Sequence, residues 1–393
     1  MDATPLSPPP TNRNNPVDVG PEPYRVHIPT RYLELTQQKF ADARLPAGDD
    51  SLRSDLDSLI DHWHETFSWR HHEHSLNTHP QYRLSIPVAP FGPLRHHFLH
   101  HRTPAKRAPP LLLLSEHWDH VPLFTELAQR NICDIVLPSA PGCGFSDAPE
   151  SAKNDDGDNG SGSGGTTLEA GSYTLHHVAS GFHALMQRLG YERYVIACSG
   201  VFGFTLARLM SRTYPGILGV HSCFLPTLKP TGWWGRLRTK RWGLRRREGV
   251  RDDGVVLNMG ATERQAWEYA VTDSPMGLLA WVVGRVREGG GRYKWTQTQL
   301  LGAFMYYWIS GPRGFFRMME EEEVKKACGT RSEVPLGLLV GTETEMKRGY
   351  VADCLGPVVS WEQRTEAVGR WVAFEQPQMV ADSLIRFWET VIR

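Results

Sequence analysis

The sequence predicts an α/β protein built on a mostly parallel, doubly wound sheet that carries a helical insertion. Three observations support this. Short continuous apolar runs alternate with helix-compatible segments. One run ends in a turn rich in small residues, ACSGVFGF at 197–204. A long stretch rich in Trp and Tyr, 228–330, then interrupts the alternation. Apolar runs without polar interruption suit parallel strands covered on both faces, and their alternation with helices gives a doubly wound sheet.

In chain order, residues 1–22 are polar and Pro-rich and predict a disordered tail, with the character of neither a signal peptide nor a membrane anchor. Strands follow at PLLLLS (110–115) and CDIVLPS (133–139). The run NDDGDNGSGSGG (154–165) reads as a flexible insertion in a surface loop. A helix is expected over 174–189, a strand at RYVIACS (193–199), a helix over 203–212, and strands at GILGVHSCF (216–224) and VPLGLLVG (334–341). The aromatic segment between the last two strands is mainly helical. It is placed as a lid over the carboxyl edge of the sheet, where open α/β sheets bind ligands.

Composition narrows the function classes. Of 393 residues, 40% are hydrophobic and 22% charged, which is a soluble globular profile. Formal net charge is zero, so no nucleic-acid partner is expected, and the basic run RLRTKRWGLRRR (236–247) reads as a solvated loop or lid helix. The six cysteines are scattered without framework spacing, as expected for reduced thiols in the cytoplasm. No apolar run reaches the length of about 18 residues needed for a transmembrane segment. Walker A, G-x-G-x-x-G and H-E-x-x-H motifs are absent, so neither a metal nor a cofactor is called for.

The turn at 197–204 has the spacing of a nucleophile elbow, in which small residues stand two before and two after the apex. Ser199-Gly200-Val201-Phe202-Gly203 meets that pattern with Val201 at the apex, which has no nucleophilic group. Shifting the apex to Ser199 or Cys198 supplies a nucleophile but places Val201 or Ile196 where a small residue belongs.

Several segments resemble the microsomal-type epoxide hydrolases. They are PYRVHIPTRYLELTQQKFADARLP (23–46), FSWRHHEHSLNTHPQYRLSI (67–86), LPSAPGCGFSDAP (137–149), LGYERY (189–194), VTDSPMGLLAW (271–281), YYWISG (306–311) and FEQPQMVADSLIRFW (374–388). The resemblance implies an α/β-hydrolase core with a helical cap and an N-terminal meander. It divides the chain into a tail (1–22), the meander and first strands (23–105), a first core segment (106–227), the cap (228–330) and a second core segment (331–393). The family's Asp nucleophile falls on Val201 and its His base on Arg370. Its two cap tyrosines fall near Val255 and Met319, and its orienting carboxylate on Glu343 or Glu345, around Thr344. Its HGWPG-like loop becomes SEHWDH (115–120), which keeps Trp118.

Arginine stays protonated near neutral pH and cannot replace the base, so the family's own route is not expected. Arg370 and His117 are candidates to polarise or protonate a substrate, with Glu116, Asp119, Glu343 and Glu345 orienting them. Trp118, Val201, Phe202, Trp371, Val255, Met319 and Tyr307 are expected to line an apolar pocket for a hydrophobic small molecule. The substitutions point to a cofactor-independent cyclase or isomerase acting on a hydrophobic natural-product intermediate, Diels–Alder closures included. Such reactions need a dry, shaped cavity and no nucleophile. Two alternatives stand beside it: epoxide or ester hydrolysis by a rewired site, and ligand binding without catalysis.

Overall fold

Leucine- and valine-rich runs form the centre of the sheet in the computed structural model, which describes residues 20–45, 51–104, 108–115, 118–149, 173–226, 261–289, 293–312, 329–341, 346–365 and 368–392. Strands β4 (Leu111–Leu114), β5 (Ile135–Pro138), β6 (Tyr194–Cys198), β7 (Ile217–Ser222) and β8 (Leu336–Gly341) coincide with the five runs read from the sequence, and all but Leu218 of their residues are buried. Nine strands lie in the order β1-β2-β3-β5-β4-β6-β7-β8-β9. From β5 to β9 neighbouring strands run parallel, whereas β1 (Glu22–Pro23), β2 (Gln81–Val88), β3 (Gly92–His101) and β5 pair antiparallel, so the sheet is mixed.

Four strands, β1, β2, β3 and β9, were not anticipated one by one. β1 begins at Glu22, inside the span expected for the tail. Strand β2 alternates buried and exposed residues because only one face is covered, and β9 (Val358–Arg364) is a largely polar edge strand. Neither makes a continuous apolar run.

Helices α1 (Thr30–Ala41), α2 (Ser51–Glu65) and α3 (Trp69–Leu76) form the meander. They are followed by α4 (Val121–Arg130), α5 (Leu175–Arg188) and α6 (Gly200–Thr213) against the sheet. Between β7 and β8 lie the cap helices α7 (Ala261–Asp273), α8 (Pro275–Glu288) and α9 (Gln297–Ser310). The chain ends with α10 (Arg348–Leu355), α11 (Val372–Glu375) and α12 (Pro377–Ile392). The insertion at 154–165, the basic run at 236–247 and Cys328 lie outside the described residues.

Specific contacts hold the meander in place. The buried Glu73 carboxylate accepts the backbone N–H of Ile28 (2.6 Å), Trp69 Nε1 (3.3 Å) and Arg70 (2.7 Å), which offsets the cost of burying a charge. The meander then clasps the cap. Tyr32 donates to Trp308 O (2.7 Å), Trp308 Nε1 donates to Thr36 Oγ1 (2.8 Å), and Lys39 and Arg287 pair with Asp273 and Asp55. At the core, α6 is buried along most of its length, and Arg208 inside it donates to the carbonyls of Thr330 and Leu355. This arrangement fixes the carboxyl ends of β4 and β6 beneath the cap.

Candidate active site

The turn after β6 is the sharp feature of the sheet's carboxyl edge. Ser199 is extended (φ −139°, ψ 165°), Gly200 takes φ +63°, and α6 begins at once. The left-handed apex is therefore Gly200, one residue before the Val201 expected from the spacing. The reason is steric: a β-branched side chain is strongly disfavoured at positive φ, while glycine adopts it without strain. Helix α6 accordingly starts three residues earlier than read from the sequence and takes Val201 and Phe202, both buried, into its first turn. Gly203 has a different role. A Cβ there would stand 2.2 Å from Leu114 O, so its bare backbone lets α6 lie directly on β4. Neither Gly200 nor Val201 carries a nucleophile.

The chemistry at this edge comes from the loop after β4. Trp118–His120 forms a single 3₁₀ turn leading into α4. Asp119 precedes the N-cap residue of α4, His120, and both are buried, at 3% and 1% exposure. Asp119 Oδ2 accepts a hydrogen bond from Ser199 Oγ at 3.4 Å and lies 3.3 Å from His120 Nδ1. Asp119 Oδ1 receives no hydrogen bond from the described residues. Burial by itself would raise this carboxyl, but His120, together with hydrogen bonding from His120 and Ser115, outweighs it and holds the group below the usual carboxylate range.

An aromatic wall stands over this cluster. The Trp118 ring lies 5.0 Å from Trp371, 5.8 Å from Phe374 and 5.9 Å from Trp295, and its Nε1 donates to the Tyr307 hydroxyl at 3.1 Å. Trp295 stacks on Phe374 at 4.5 Å, and Trp281 meets Tyr307 edge-on at 5.3 Å. Beside the wall, Glu375 accepts from Trp295 Nε1 (3.0 Å). Burial raises its carboxyl, and that bond offsets part of the rise. Two carboxyls near one aromatic surface are thus pushed in opposite directions.

Known proteins share the sequence and fold of this chain. Residues 21–120 match the epoxide hydrolase N terminus family. The chain is 24% identical to the putative epoxide hydrolase of Stigmatella aurantiaca (strain DW4/3-1), over 93% of this chain and 84% of that one. It is 26% identical to the juvenile hormone epoxide hydrolase of Bombyx mori, over 84% and 76%. Among solved structures, Aspergillus niger epoxide hydrolase superposes with a TM-score of 0.73 at 21% identity, covering 95% of this chain and 97% of that one. Over these spans the chain resembles the epoxide hydrolases. Its fold is the α/β-hydrolase core with an inserted cap.

The sequence-derived candidates separate in this fold. The structure brings Trp118, Trp371 and Tyr307 together, with Val201 and Phe202 beside Ser199 at the start of α6. Glu116, His117, Glu343, Glu345, Val255 and Met319 lie outside the described residues. Arg370 occupies a seam between cap and core. Its backbone N–H donates to Gly289 O at the end of α8 (3.0 Å), and its guanidinium lies 5.7 Å from the centre of the Trp371 ring. Arg285 of α8 approaches the same ring (5.4 Å) as well as Trp281 (4.7 Å), and Trp371 Nε1 donates to Arg285 O. His120 as the partner of Asp119, and Trp295, Phe374 and Glu375 in the wall, were not singled out from the sequence. The one available signal was the adjacent pair Asp119-His120 ahead of an amphipathic helix, which a capping role explains equally well.

Among the described residues no cluster of His, Cys, Asp and Glu could hold a metal ion, and no helix is long and apolar enough to cross a membrane.

Proposed function

We propose that the protein hydrolyses an epoxide carried on an apolar small molecule, at a site rewired around Asp119. The observation that carries this reading is the buried Ser199–Asp119–His120 cluster, which places an ionised carboxylate at an elbow that has no nucleophile. An ionised carboxylate accepts hydrogen bonds and so orients a polar group beside it. Trp118, Trp295, Trp371 and Phe374 supply an apolar surface for the carbon skeleton, and Tyr307 supplies a hydroxyl from the cap side. The family relatives support the substrate class, being epoxide hydrolases by name.

The test is a mass comparison. Purified protein is incubated with a panel of aryl and alkyl epoxides, and each product is weighed against its substrate. A gain of one water supports hydrolysis. The substitution of Val201 and Arg370 at positions the family resemblance gives to Asp and His favours a second reading, cyclisation or isomerisation without added water. A product of unchanged mass, with turnover, replaces the first reading by the second.

A further inference from the structure

We propose that the core segment 370–375 is a clasp that holds the cap shut over Trp118, and that the cap opens at the connection between α8 and α9 when the clasp releases it. This goes beyond the reading above and holds whether or not the reaction adds water. The segment grips both ends of that connection. The Arg370 N–H donates to Gly289 O (3.0 Å) and Trp371 Nε1 donates to Arg285 O (3.3 Å), both at the C-terminal end of α8. A Cβ on Gly289 would stand 2.5 Å from Trp371 Cδ1, so the indole lies directly against the backbone there. Ahead of α9, Trp295 stacks on Phe374 (4.5 Å, 8° between the planes) and its Nε1 donates to Glu375 (3.0 Å). Trp371, Phe374 and Trp295 all lie within 6 Å of the Trp118 ring, at 5.0, 5.8 and 5.9 Å, so the clasp packs over the turn that carries Asp119.

Other parts of the cap are held differently. The C-terminal half of α9 is anchored by packed rings: Phe304 against Phe40 (5.5 Å) and Trp63 (6.2 Å), Trp308 against Tyr32 (6.3 Å), and Tyr306 against Phe145 (6.1 Å). Near the α8–α9 connection, the meander holds the cap through exposed polar groups. Arg287 pairs with Asp55 and donates to Ser51 O (2.9 Å), Gln297 donates to Ser58 Oγ (2.6 Å), and His62 lies 2.9 Å from Thr298 Oγ1. Water competes for exposed bonds, so each of these holds less than the part-buried bonds and stacked rings of the clasp. Helix α9 has 14 residues and is about 20 Å long. It is a lever fixed at one end by its packed rings and retained at the other by the clasp.

The experiment is backbone amide exchange of the full-length protein, read by mass spectrometry. The parent is compared with a variant that combines Trp371→Phe, which keeps a ring but removes its donor, with Glu375→Ala. Exchange across 281–289 and 293–301 is expected to accelerate at least about tenfold, because two bonds that resist local opening are lost, while β6 and β8 keep the parent's rates. Unchanged exchange in those two windows overturns the proposal. Equal acceleration in β6 and β8 overturns it too, because the segment would then support the whole fold rather than close the cap. The parent in about 1 M NaCl supplies a reading that needs no variant, since salt screens the exposed Arg287–Asp55 pair and leaves the clasp bonds in place. Exchange in the two windows is expected to stay as it is at low salt. Acceleration confined to them would show that exposed ion pairs hold the connection, and would overturn the proposal. Neither readout uses activity, so failure of the hydrolysis reading is distinguishable from failure of the clasp.

Discussion

Substituting Gly203 by Ala tests whether the elbow's geometry depends on the direct seating of α6 on β4. The added Cβ would stand 2.2 Å from Leu114 O and 3.3 Å from the Cys198 side chain. A carbon–oxygen contact relaxes at about 3.2–3.5 Å, so α6 must move about 1 Å away from the strand, a displacement the close-packed interior resists. Overpacking of this kind costs about 1–3 kcal/mol. Near a sensitivity of about 2 °C per kcal/mol, suitable for a large domain, the Tm falls by about 2–6 °C. Gly200 supplies the contrast. A Cβ there meets nothing within 4 Å, so its substitution cost arises from φ +63° alone, about 1–2 kcal/mol for Ala and less for Asn. Thermal unfolding of Gly203→Ala, Gly200→Ala and Gly200→Asn, followed by circular dichroism, reads all three. A Gly203→Ala variant as stable as the parent would refute the seating argument, and Gly200→Asn less stable than Gly200→Ala would refute the left-handed apex.

The remaining predictions concern pH and the aromatic wall. Burial pushes the imidazoles of His96 and His221 down to about 4. The unfolded chain takes up these protons near pH 6.5 and the folded protein only near 4, so stability is full above 6.5 and declines between those values. Each contributes on the order of 3 kcal/mol, and the urea midpoint should drop from pH 7 to pH 5 in the parent but less in His221→Asn. Asp119 behaves as a carboxylate held low: its contribution is complete above about pH 4 and is lost as pH falls through its lower folded value. Acid unfolding of Asp119→Asn should therefore lack that final loss, and an identical acid limb would contradict the assignment. Trp371→Ala, at a fully buried ring joining cap and core, should cost about 3–5 kcal/mol in denaturant unfolding. Arg370→Ala removes a cation near the face of that ring and should cost about 1 kcal/mol in the same assay.

The sequence by itself determined the five central strands, the two helices that flank the elbow strand, and the presence of a helical insertion. These rest on local patterns, and an apolar run such as LLLL at 111–114 or YVIAC at 194–198 has few stable places other than the middle of a covered sheet. The small-residue spacing also located the elbow, and Gly203 is where α6 comes closest to β4. The half-covered strand β2 and the edge strand β9 were harder to read, because their sequences respond to one neighbouring face or to solvent. The apex shifted to Gly200 because backbone sterics decided between two adjacent positions that spacing alone could not separate.

The site itself was decided by tertiary structure. Ser199 and Asp119 stand 80 residues apart, and Trp118 and Tyr307 stand 189 apart, so no window along the chain contains either pair. In the sequence Asp119 is one of four candidate orienting carboxylates. It becomes a buried, partnered carboxylate only because α6 seats Ser199 beside β4 and the turn after β4 points inward. His120 and the hydrogen bonds to the carboxylate hold its charge against the effect of burial, and those partners are brought together by the packed elements.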